Sequence, residues 1–146
     1  MLRALLFIVI FHFLAGTQQK PVRWKFYSTK GQGDSIEIHM KAAISKGWHL
    51  FALNNRAGPG ATEVNLIKHS GIKFDGMAVR QSQPKQVYDQ VFKANVLAFI
   101  NTAEFMQVVS RKDTTIMSIG GFVRYMVCNG SNCLPPISDS FQVKIN

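Results

Sequence analysis

The chain has 146 residues, 47% of them apolar, which is enough for one sizeable core and leaves little room for a second independent domain. Its formal net charge is +9, from basic residues spread along the chain with no arginine-rich cluster and no aromatic RNA-binding motif. That distribution argues against nucleic acid and for a solvated basic surface that favours acidic partners.

Met1 to Thr17 read as a charged start at Arg3, an apolar run from Leu5 to Leu14, and then the small residues Ala15, Gly16 and Thr17. This is the pattern of a secretory signal peptide, with cleavage expected near residues 15–18. A bilayer span needs ~20 apolar residues, about twice this run. No cysteine stands near the processing site, so a lipid-modified N-terminal cysteine is excluded. The expected organisation is a signal peptide at 1–17 and one soluble domain at 18–146, periplasmic or otherwise secreted. Without Arg3 the domain carries sixteen basic and eight acidic residues, a net +8.

Downstream, period-two alternation dominates. Val22, Trp24 and Phe26 alternate with Arg23, Lys25 and Tyr27, and Ile36, Ile38, Met40 and Ala42 alternate with Glu37, His39 and Lys41. Each reads as a strand with one buried face. Gly31-Gln32-Gly33-Asp34 between them supplies hairpin-turn chemistry. Further strands are expected at Trp48–Leu53, Glu63–Lys68, Ile72–Met77, Val87–Phe92, Asn95–Asn101, Phe105–Ser110, Thr115–Val127 and Ser140–Ile145. Thr102–Val109 has a short helix as its alternative. Gly58-Pro59-Gly60, Ser70-Gly71 and Pro84 break the run, and Asn54 to Ala61 is the longest irregular stretch, expected to be mobile. Many short strands and no sustained helical period predict an all-β fold, an immunoglobulin-like antiparallel β-sandwich, with a closed barrel as the second choice.

The only two cysteines fall in Tyr125-Met126-Val127-Cys128-Asn129-Gly130-Ser131-Asn132-Cys133-Leu134-Pro135-Pro136. Asn129-Gly130 is a tight-turn signal, and a turn of this length brings the flanking positions within reach of a disulfide. Pro135-Pro136 stiffens the exit and offers no backbone donors to a ladder. Closing so small a ring stabilises a fold by only ~2 kcal/mol, against ~4.7 kcal/mol for a hundred-residue loop. A domain of this size can fold without such a staple. Polar Asn129, Ser131 and Asn132 around an exposed turn suit a reactive pair. Three readings stay open on the residues alone: a redox-active disulfide, a hairpin staple, and a metal site. For the last, His39, His49, His69, Met40 and Met126 are the available ligands, and none stands at ligand spacing from the cysteines.

The segment Tyr125-Met126-Val127-Cys128 followed by Cys133-Leu134-Pro135-Pro136 resembles the active-site segment of the N-terminal periplasmic domain of the DsbD thiol:disulfide interchange family. Pro21-Val22-Arg23-Trp24 and Ile44-Ser45-Lys46-Gly47-Trp48-His49-Leu50-Phe51 resemble that family's first strand and its turn-and-aromatic strand, and Gly71–Val91 and Phe141–Ile145 match more weakly. The resemblance implies an immunoglobulin-like domain that passes reducing equivalents from a thioredoxin-like donor to disulfide-bearing client proteins, with no metal or organic cofactor. It makes Cys133 the cysteine that forms mixed disulfides and Cys128 the one that resolves them. His49, Phe51, Tyr125 and Pro135 become supporting or shielding residues. The stretch corresponding to the relatives' cap loop, Met77 to Gln86, holds no phenylalanine or tyrosine. Nothing after the sandwich spans a membrane, so electrons are expected from a separate protein. The alternative is a non-catalytic immunoglobulin-like interaction module whose disulfide pins a hairpin.

Overall fold

Alternating side chains build the fold one sheet face at a time. The structure, a computed structural model, describes residues 20–58, 60–75 and 79–145, so the expected signal peptide lies outside the described residues. Among the described residues there is no helix; twelve strands run β1 (Val22–Lys30), β2 (Ser35–Ile44), β3 (His49–Phe51), β4 (Glu63–Leu66), β5 (Ile72–Phe74), β6 (Arg80–Gln81), β7 (Lys85–Asp89), β8 (Ala94–Ile100), β9 (Thr102–Arg111), β10 (Ser118–Tyr125), β11 (Val127–Cys128) and β12 (Ile137–Lys144). Every pairing is antiparallel. None of the described segments is a helix long and apolar enough to cross a membrane.

The first sheet has the order β1-β2-β9-β5, with β6 also on β9. Its β1–β2 hairpin turns at the glycine-rich segment expected from the sequence, and Gly33 takes a positive φ of 62° there. The remaining strands form two smaller sheets, β12-β10-β4 and β11-β3-β8-β7. Inward residues of all three sheets make the main core: Val22, Met40, Ala42 and Ile44 from the first, Val123 and Tyr125 from the second, Leu50, Phe99 and Val127 from the third. This is the immunoglobulin-like sandwich, with the first sheet opposed by the other two. Trp24 joins the layers, edge-on to Tyr125 at 5.4 Å and tilted against Phe105 at 5.9 Å.

Several boundaries differ from the sequence reading. Thr102–Arg111 is a strand throughout, which removes the helical alternative. The long strand expected over Thr115–Val127 is two: β10 ends at Tyr125, and after Met126 the chain enters a different sheet as β11. Val87–Phe92 shortens to end at Asp89, because Asp89 Oδ1 accepts the Phe92 N–H at 2.9 Å and folds the segment into a turn. β6 had no sequence signal, being two residues tied to β9. The stretch from Asn54 to Ala61 is anchored where described: the Asn55 side chain accepts the Leu97 N–H at 3.1 Å and donates to the Ala57 carbonyl at 2.7 Å.

Two positions carry stability predictions. Burial pushes the Tyr125 phenol far above its ordinary range, and its hydrogen bond to Asp139 raises it further, while the Trp24 indole works the other way. The hydroxyl therefore stays a neutral donor, 2.7 Å from Asp139 Oδ2, whose other oxygen pairs with Lys20. Tyr125→Phe should lower the unfolding free energy by about 1–3 kcal/mol, read from a denaturant midpoint at unchanged slope. Gly121 lies in β10 between two neighbouring strands, where a Cβ would stand 2.6 Å from the Asn65 carbonyl oxygen and 2.7 Å from the Phe141 ring. Gly121→Ala should cost about 1–3 kcal/mol in the same assay, as overpacking against a backbone that cannot yield.

Candidate functional site

In the four-stranded sheet, successive residues point to opposite faces. Leu50, Phe99 and Val127 enter the main core, while Phe51, Val96, Ala98 and Cys128 form a separate buried cluster on the other face. The cysteine pair thus sits behind the sheet, away from the main core. Ala57 of the loop after β3, Val87, Met126 and Cys133 pack against this cluster. A Cβ on Gly58 would meet Phe92 at 3.2 Å, so the loop lies close against the β7–β8 turn.

Cys128 and Cys133 are joined by a disulfide. They face each other as an isolated antiparallel bridge, with α-carbons 4.0 Å apart. The backbone bonds lie on either side of them, Asn129 N–H to the Asn132 carbonyl and Leu134 N–H to the Val127 carbonyl, both 3.0 Å. The cysteines therefore occupy a non-hydrogen-bonded pair, the cross-strand position where side chains approach most closely. The turn is built as the sequence indicated: Gly130 adopts φ 84°, and Asn129 Oδ1 accepts the N–H groups of Ser131 and Asn132. Cys128 is 0% exposed, whereas Cys133 is half-buried, next to half-buried Leu134 and exposed Pro135. The two cysteines thus differ in exposure.

His49 lies directly across from Cys128 in the β3–β11 pairing. Its ring is edge-on to Phe51 at 5.3 Å, and its Nε2 is 2.9 Å from Asp89 Oδ2. Both members of this pair are buried. A ring nitrogen of His49, a carboxylate oxygen of Asp89 and the sulfur of Cys128 all lie within 4.8 Å of one another. These donors are of types a metal can use, but in the disulfide form the Cys128 sulfur is no thiolate and Asp89 is already hydrogen-bonded to His49. His39, a ligand candidate in the sequence, is elsewhere, stacked on Tyr27 and bonded to Glu104 at 3.1 Å, and His69 lies beside Gly71.

The structure therefore brings together Cys128, Cys133, His49 and Phe51. Tyr125 stands apart, on the main-core face with Trp24 and Asp139. Of the stretch that corresponds to the relatives' cap loop, Val79 packs on the main core, β6 pairs with β9, and Gln81 bonds the Leu53 N–H and the Asn54 side chain, both at 2.9 Å, while Lys85 and Gln86 open β7 at the edge of the site's own sheet. The residue that the sequence did not disclose is Asp89. A single acid within an apparent strand signals only solvent exposure, and its neighbour His49 is forty positions away.

No protein-family model and no curated protein sequence matches the chain. Solved structures do. The reduced DsbD N-terminal domain of Neisseria meningitidis superposes with a TM-score of 0.54 at 12% identity, over 83% of this chain and 86% of that one. The DsbD N-terminal domain in its complex with the PilB N-terminal domain, from the same organism, gives 0.55 at 11% identity, over 88% of each chain. The N-terminal periplasmic domain of ScsB from Proteus mirabilis gives 0.53 at 12% identity, over 83% of this chain and only 44% of that one. In fold, the chain is similar to the DsbD N-terminal domains and shares their immunoglobulin-like architecture.

Proposed function

We propose that this domain is a thiol-disulfide exchange protein outside the cytoplasm, which takes reducing equivalents from a thioredoxin-like donor and passes them to disulfide-bearing clients. The observation that carries this reading is the asymmetry of the pair: Cys133 only partly buried at the lip of a hairpin, Cys128 fully buried beside His49 and Asp89. Exchange proceeds by thiolate attack on a disulfide sulfur through a mixed disulfide. An incoming thiolate can reach Cys133 and is kept from Cys128 by the sheet, which supports Cys133 as the exchanging residue and Cys128 as the resolving one. The fold resemblance supports the same assignment, and the complex with a PilB domain is a precedent for a DsbD-type domain docking on another protein.

Chemistry on this chain needs no cofactor, because the two sulfurs themselves hold the electron pair that is exchanged. The bridge contributes little to the fold, since its hairpin is already closed by two backbone bonds and an Asn129 side chain. His49 and Phe51 support the sulfurs from β3, and Pro135 stiffens the exposed exit of the hairpin. Tyr125 supports them only indirectly, by fixing the end of β10 three residues before Cys128.

Two measurements test the function. The reduction potential of the pair, from folded protein equilibrated in graded thiol buffers and scored by alkylation mass, should fall between roughly −120 and −270 mV; a value below about −300 mV would make the bond a structural pin and the domain an interaction module. Incubated with a disulfide-bearing client, Cys128→Ser should accumulate a mixed disulfide in which the Cys133 thiolate has displaced one client sulfur, while Cys133→Ser should accumulate none, seen by non-reducing mass analysis.

A further inference from the structure

We propose that His49, held in place by Asp89, gives a proton to the Cys128 sulfur and takes it back as the disulfide opens and closes, a role that rests on the exchange function above. The need for it arises from burial. When the bond to Cys133 breaks, the electron pair leaves on Cys128, which is 0% exposed. A bare thiolate there is disfavoured by desolvation, and bulk water cannot reach it with a proton. Cys133, partly in contact with solvent, has no such requirement.

The geometry places one suitable group within reach. His49 is the direct cross-strand neighbour of Cys128, and one of its ring nitrogens is within 4.8 Å of the sulfur. The disulfide now holds that sulfur toward Cys133, and its cleavage frees rotation about the Cys128 side chain. Asp89 sets the chemistry of the ring. Its Oδ1 accepts the Phe92 N–H, so Oδ2 faces His49 Nε2 as a carboxylate acceptor. Nε2 and that carboxylate then share a hydrogen, which holds the ring in place as the group that gives and regains the mobile proton.

Capping the β7–β8 turn needs only one oxygen of Asp89. A buried histidine–carboxylate pair beside Phe51, Val96 and Ala98 is no better for stability than apolar residues of the same volume. Its place against the leaving sulfur gives it a function. The groups around the ring are few: β7 brings Asp89, β11 brings Cys128, and β8 brings Ile100 opposite, which does not titrate. Among the described residues, Asp89 is the one charged group hydrogen-bonded or ion-paired with His49.

The electrons and protons balance in both directions. In charging, a donor thiolate bonds to the Cys133 sulfur, the Cys128–Cys133 bond breaks, and Cys128 takes its electron pair together with the His49 proton. The donor's second thiolate then attacks its own partner sulfur and releases Cys133 as a thiolate, leaving the donor oxidised and the pair reduced. Toward a client, the Cys133 thiolate displaces one client sulfur. The Cys128 thiol returns its proton to neutral His49 and attacks Cys133, releasing the second client thiolate and re-forming the disulfide. His49 touches the reacting sulfur; Asp89 acts through it as a positioning residue.

The test is the rate at which excess dithiothreitol reduces the folded disulfide from pH 5 to 9, divided by the concentration of attacking thiolate. In the wild-type protein this quotient should be larger at low pH than at high pH, because only a ring that carries the extra proton can supply it. At pH 6, His49→Gln should be slower than wild type by about 100-fold, near the lower end of what a positioned acid contributes, with a flat profile, and Asp89→Asn should lie between. Circular dichroism and the thermal midpoint report whether each variant is folded. A flat wild-type quotient, or folded variants that match wild type at every pH, would overturn the proton-transfer role and leave exchange intact. The wild-type profile decides the matter even where a variant does not fold. A wild-type disulfide that resists reduction until the protein unfolds would instead overturn the exchange function itself.

Discussion

Everything at the site depends on the two-residue period of the sheet formed by β11, β3, β8 and β7. Because neighbours alternate faces, Val127 and Leu50 must enter the main core if Cys128, His49 and Phe51 are to lie together behind it. The sandwich needs the first set for stability, and the second set comes with it. The sheet is therefore apolar on both faces, with a small satellite core on the far side beneath the Asn54–Ala61 loop. A disulfide in the main core would be inaccessible to another protein, and one on an open face would be uncontrolled. The far face of a covered sheet lies between these extremes, presenting one sulfur and withholding the other.

The hairpin that carries the cysteines follows from equally local rules. Asn129 and Gly130 specify the turn, the flanking backbone bonds place positions 128 and 133 opposite each other, and a non-hydrogen-bonded pair brings the side chains close. β11 reaches this position because β10 ends at Tyr125, whose ring and hydroxyl are fixed by Trp24 and Asp139. The chain thus passes from the second sheet to the third across the single residue Met126, from a strand anchored by its core contacts to one that carries the disulfide.

Much of this was legible in the residues. The alternation of β1 and β2, the glycine turn between them, the Asn-Gly turn and the close cysteine pair each rest on a local signal. The illegible parts share a physical cause, which is that they depend on contacts distant in sequence. The break at Met126 is invisible because Val123, Tyr125 and Val127 keep one alternation across it, all three reaching the same core. Asp89 looks like an outward residue of a strand until the β7–β8 turn and β3 enclose it. The face on which Cys128 lies cannot be assigned from a sheet that is apolar on both sides, since either phase of the pattern satisfies burial.

The antiparallel register of β11 on β3 also decides which face of the sheet the disulfide occupies. A slip of one residue would exchange Val127 with Cys128, sending the sulfur into the main core and the valine to the hairpin lip. In that arrangement the hairpin's own backbone bonds would still hold Cys128 opposite Cys133, but the pair would face the main core. The hairpin alone decides that the two sulfurs meet, and the pairing of the third sheet decides what surrounds the bond between them.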